Sequence, residues 1–110
     1  MAGGLQKYTV QEAQNASLGQ AGSIFVSGTS AVSCKSGVFV AITFLENTVF
    51  DNAGLKAEDD ELYPDDTGTS GLIGTNGAAI DGETFPKGVT IYGRWTSFTL
   101  TSGLVIAYRG

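Results

Sequence analysis

The chain contains no histidine, one cysteine and two prolines in 110 residues. Without histidine there is no Ser-His-Asp or Cys-His arrangement to activate a nucleophile, and no imidazole-ligated metal centre. The single cysteine, Cys34, excludes an internal disulfide; between Val32 and Lys35 it reads as a small, half-buried hydrophobe. Long apolar runs are missing as well. The longest, residues 38–45, is the size of a strand and far below the ~18–20 residues of a membrane helix, so no membrane partner is expected. Met1-Ala2-Gly3-Gly4-Leu5 has no basic stretch leading into an apolar one, and no secretory signal is expected. Sixteen glycines are present, yet none falls in the GxxxxGK[ST] spacing that cradles phosphate. Serine and threonine are common but have no visible activating base. The expectation is a protein that is not an enzyme and uses no cofactor.

What charge there is lies unevenly. Residues 46–86 hold ten of the eleven acids and one lysine, whereas residues 87–110 hold three cations and no acid. An acidic middle repels a phosphate backbone, which argues against a nucleic-acid partner. Glu58-Asp59-Asp60-Glu61 and Asp65-Asp66 put hard oxygen ligands at short spacing, making Asp59, Asp60, Asp65 and Asp66 weak calcium candidates. The twelve-residue EF-hand pattern is absent, so the expectation is no metal and a solvated acidic loop. Paired carboxylates also serve glycoside hydrolysis, but here they crowd one loop instead of converging from several strands.

Along the chain, residues 1–4 read as a flexible N-terminal arm, residues 5–10 as a first strand, and residues 11–18 as a loop or single helical turn. From Gly22 onward the strand pattern is clearer. Ile24-Phe25-Val26 is answered across Gly28-Thr29 by residues 30–34. After Ser36-Gly37 comes the 38–45 run. Period-2 alternation there puts Val38, Val40, Ile42 and Phe44 on one face and Phe39, Ala41 and Leu45 on the other. A strand apolar on both faces is covered on both, centrally in a sandwich or at a subunit contact. Residues 51–77 then form a long, acidic, glycine-rich loop, and residues 78–81 and 83–85 return as an edge strand or extended segment. Residues 85–110 are dense in β-branched and aromatic residues. Their alternation points Val89, Ile91, Trp95, Phe98, Leu100, Leu104, Ile106 and Tyr108 to a greasy face, with Ser102-Gly103 as a hairpin turn. One all-β domain follows, a small antiparallel sandwich or barrel with a jelly roll among its topologies.

The C-terminal stretch carries a resemblance. Phe85-Pro86-Lys87-Gly88, Gly93-Arg94-Trp95-Thr96 and Gly103-Leu104-Val105-Ile106-Ala107-Tyr108 resemble the ends of small structural proteins of tailed bacteriophages. About a quarter of the chain is covered firmly, and residues 38–50 more loosely. The motif is fold-forming and brings no catalytic residue. It implies a virion component, and the missing chemistry narrows the expectation to a capsid decoration or cement protein. Such a protein sits on the outer capsid surface, after assembly in the host cytoplasm. Its expected partners are the major capsid protein and further copies of itself, with a trimer favoured. Tyr92, Arg94, Phe39, Leu45 and Arg109 are the interface candidates, since arginine and aromatics are enriched at interface centres. The rival expectation is a receptor- or glycan-binding domain of a tail or head fibre, using aromatic rings to stack on sugars.

Overall fold

The computed structural model describes residues 21–68 and 73–110. The arm, first strand and helical turn expected at residues 1–18 lie outside the described residues. Within them the chain is all-β, with no helix: β1 (Ser23–Val26), β2 (Val32–Ser33), β3 (Phe39–Phe44), β4 (Thr48–Ala57), β5 (Thr84–Phe85), β6 (Thr90–Ser102) and β7 (Val105–Arg109). All seven belong to one antiparallel sheet in the order β1-β7-β3-β6-β4-β5, and β2 pairs separately with β6.

β6 turns that sheet into a two-layer fold. Its 13 residues would measure about 40 Å if straight. Thr90 at its start pairs with Thr43, and Ser102 at its end pairs with Val49. Residues 43 and 49 are at most ~20 Å apart along the chain, so β6 must bend back on itself. Strands that switch layers by bends and bulges make such corners, and register shifts on both neighbours of β6 supply them. The layer of β1, β7, β3 and early β6 thus faces the layer of late β6, β4 and β5.

The core fills the gap. Val26, Phe39, Ile42, Phe44, Trp95, Val105 and Ala107 meet Phe50, Leu55, Phe98 and Leu100. Each large side chain buried this way contributes about 1.5–3 kcal/mol. Phe44 stacks on Phe85 with ring centroids 4.9 Å apart, although β5 and β3 are three strands distant in the sheet order. A flat sheet would hold them about 14 Å apart, so the ring stack measures the curl. Gly93 makes room for the largest side chain: a Cβ there would lie 2.7 Å from the Trp95 ring.

Two strand faces and two hairpin pairings expected from the sequence are corrected. Around Val40 the register of β3 shifts against both neighbours, which breaks the period-2 reading, and Phe39 joins Ile42 and Phe44 in the core. Val38, Val40 and Ala41 are also buried, Ala41 between Tyr92 and Tyr108 of the flanking strands. Ser102-Gly103 does not close a hairpin, because β3 lies between β6 and β7. Gly103, at φ +108°, sends the chain across β3, where Leu45 N–H donates to Leu104 O at 2.8 Å. The inward residues of β7 are therefore Val105 and Ala107, with Ile106 and Tyr108 outward and half-buried. Likewise the stretches at 23–27 and 30–34 do not pair with each other: β1 joins β7 and β2 joins β6.

The acidic loop is also shorter than expected, since β4 continues to Ala57. The strand is disguised by an excursion at residues 51–54, opposite a register shift between Phe50 and Leu55. Ala53 adopts φ 55° there, and its N–H donates to Asp81 Oδ2 at 2.7 Å.

Candidate interaction surface

The bend in β6 leaves the back of the first layer facing outward. Residues directly opposite on neighbouring strands share a face, and the register gives two rows across four strands. Ser23, Tyr108, Ala41 and Tyr92 form one; Phe25, Ile106, Thr43 and Thr90 form the other. Their strand neighbours Ile42 and Ala107 point into the core, which places both rows on the outside. None of the eight carries a charge. Tyr92 is 64% exposed and Phe25 58%. The Thr43 and Thr90 hydroxyls bond each other at 2.8 Å, satisfying two polar groups across the middle of the surface. Such a face has no strong demand for water and can be covered by a partner at little electrostatic cost.

The rim is charged and already engaged. Arg94 Nε lies 2.6 Å from Glu58 Oε2, and its Nη2 donates to Oε1 at 3.2 Å. This two-pronged pair fixes the guanidinium geometry. At the other end, Arg109 Nε donates to Ala21 O at 3.0 Å. Arg109 also borders a cleft of about 300 Å³ between β1 and residues 33–35, lined by Ile24, Cys34, Lys35 and Phe39 among others. Cys34 is half-buried there and packs against the core.

The interface candidates read from sequence therefore separate. Tyr92 lies open on the outer face, and Arg94 and Arg109 sit at its edges, tied down by the bonds above. Leu45 is half-buried at the β3–β4 turn. Phe39 is 4% exposed, packed against Phe98 with centroids 5.5 Å apart, and offers no surface to a partner. Phe25 and Ile106 escaped the sequence reading. A signal existed: Ser23-Ile24-Phe25-Val26 is apolar at three successive positions, one more than a single covered face needs.

The four carboxylates considered for calcium serve the loop itself. Asp65 is 4% exposed. Its Oδ1 accepts from Thr67 N–H and Thr67 Oγ1, each at 2.8 Å, and its Oδ2 from Ala57 N–H at 3.2 Å. Asp66 pairs with Lys56 at 2.7 Å. Asp59 Oδ1 accepts from Glu61 N–H, and Asp60 Oδ2 lies 3.3 Å from the Thr67 hydroxyl, whose one proton goes to the nearer Asp65. Among the described residues no group of three or more acidic or cysteine side chains is arranged to hold a metal ion. Trp95, the ring best suited to stack on a sugar, is fully buried.

No family model, no curated protein and no solved structure matches the chain.

Proposed function

We infer that the chain is a structural protein of a tailed-phage particle, of the capsid decoration or cement kind, acting by adhesion and not by catalysis. The observation that carries this reading is the uncharged outer sheet face, with Tyr92 and Phe25 exposed. The resembling segments support it, because they build the element that creates that face. Gly93 seats Trp95, Arg94 borders the surface, and residues 105–108 supply all of β7 but Arg109. Such a protein binds the outside of a shell of major capsid protein through a flat, weakly hydrated surface and bridges neighbouring capsomers. Co-sedimentation with empty phage capsids tests it. The wild-type chain should pellet with the shells, and Tyr92→Ser should weaken binding at least tenfold while leaving the far-ultraviolet spectrum intact. Absence of binding to shells, with recovery only in tail fractions, would overturn the reading.

The alternative is a receptor- or glycan-binding domain of a tail or head fibre. It rests on Tyr92 alone, since Trp95 has no exposed face. A glycan array positive for one sugar and silenced by Tyr92→Ser would establish that rival.

A further inference from the structure

Among the described residues β1 is the last strand of the sheet, and its bonding pattern leaves one edge open. Arg109 N–H donates to Gly22 O at 2.9 Å, which makes that position a hydrogen-bonded pair. In an antiparallel ladder such pairs alternate, so Ile24 and Val26 bond inward to β7. The N–H and C=O groups of Ser23 and Phe25 point to the other side, where no strand pairs with β1 among the described residues. Edges of this kind are normally blunted by lysine, proline or an inward charge. β1 has none, and Ile24 and Phe25 are 41% and 58% exposed.

The local sequence says what fits there. Ser23-Ile24-Phe25-Val26-Ser27 reads nearly the same in both directions: serine, β-branched, phenylalanine, β-branched, serine. We propose that β1 pairs with β1 of a second copy about a two-fold axis through Phe25, joining the two sheets into one. In that register Phe25 faces Phe25, Ser23 faces Ser27, and Ile24 faces Val26. These are the aromatic, hydroxyl and β-branched cross-strand pairs that stabilise antiparallel ladders. The outward N–H and C=O groups of Ser23 and Phe25 find partners, and no like charges are brought opposite each other. A two-fold contact of one patch with itself closes on the dimer and does not propagate. The two uncharged outer faces become one continuous surface with Phe25 at its centre.

Register-specific crosslinking is the test, made in a Cys34→Ser background so that the introduced thiol is the only one. At a hydrogen-bonded antiparallel position the facing Cα atoms lie about 5.5 Å apart, within disulfide reach. Phe25→Cys should therefore oxidise to a covalent dimer. Ser23→Cys should not, because the axis separates the two Ser23 positions by about 14 Å. In sedimentation the unmodified chain should show a concentration-dependent dimer. Phe25→Lys, which sets two ammonium groups face to face at an exposed site, should be monomeric, with an unfolding midpoint that does not vary with protein concentration and matches that of the wild type diluted to monomer. Equal crosslinking at both positions, no crosslinking at Phe25→Cys, or an oligomer indifferent to Phe25→Lys would each overturn the proposal. The inference stands apart from the virion reading: a β1-paired dimer with no affinity for capsids would keep this one and remove the other.

Discussion

The indole N–H of Trp95 donates to the carbonyl oxygen of Pro64 at 2.9 Å, so the largest fully buried side chain also holds the acidic loop against the sheet. Core and loop are then not independent. Trp95→Phe leaves a cavity and removes the bond to the Pro64 carbonyl. The expected loss is about 2–4 kcal/mol, seen as a lower urea midpoint by circular dichroism with an unchanged slope. A loss below about 0.5 kcal/mol would mean that the loop does not depend on this bond.

Asp65 makes a second anchor of the same loop. Its two carboxylate oxygens accept from Ala57 N–H and from both donors of Thr67, and Asn offers one acceptor oxygen where Asp offers two. Asp65→Asn must leave at least one part-buried backbone donor without its carboxylate partner and is expected to cost about 1–2 kcal/mol. Asp59→Asn, nearer the surface, should stay within about 0.5 kcal/mol. Adding calcium to the wild-type chain should leave its urea midpoint where it is, because these carboxylates already have partners. A rise in midpoint with calcium that Asp65→Asn abolishes would instead make the loop a metal site.

How much of this was legible in the sequence depended on whether side-chain alternation stayed in phase. The unbroken run at residues 38–45 announced a central strand, and β3 is one. The parity of Phe39 was not readable, because a register irregularity at Val40 has no compositional mark. The sequence pattern of β7 runs one residue out of phase with its true faces, because Ser102-Gly103 resembles a hairpin turn and only tertiary pairing shows β3 between the strands. The pattern of β4 is lost beyond Phe50 because four residues bulge out before Leu55 returns to the core. Of the outer face, Tyr92 was legible from its position opposite Trp95. Phe25 was not, since its exposure follows from β1 being the last strand of the sheet.

Lys56 gives a prediction in pH. Its ammonium lies 2.7 Å from Asp66 Oδ2, and the hydrogen bond and charge of Asp66 raise its pKa above the usual 10.5, with Asp65 and Asp81 adding to the effect. A lysine whose folded pKa is raised contributes stability that is complete below 10.5 and is lost as pH climbs through the folded value. The pair is solvent-exposed on the lysine side, so the effect is small and weakens with salt. Wild type should therefore exceed Lys56→Met in urea midpoint at neutral pH, and the gap should close above 10.5. A gap that persists unchanged at high pH would assign the difference to packing of the lysine stem and not to charge.

Gly103 is a position where a single methyl should do severe harm. Its φ of +108° is one that residues with a Cβ rarely adopt, and an added Cβ would lie 2.6 Å from Thr48 Cα. The Thr48 side chain is fully buried and fixed by its hydroxyl, which donates to Glu46 O at 2.8 Å, so it has nowhere to go. Backbone strain and overpacking act together in Gly103→Ala, for an expected loss of about 2–5 kcal/mol. Adding Thr48→Ala should not restore stability, because the obstructing Cα remains. Gly28→Ala is the control: its φ lies outside the positive range, nothing lies within 4 Å of a Cβ there, and the change should be neutral or stabilise by up to about 1 kcal/mol. Urea titration of the three variants separates the effects. Similar losses at residues 28 and 103 would show that glycine content in general, and not the crossing from β6 to β7, sets the sensitivity.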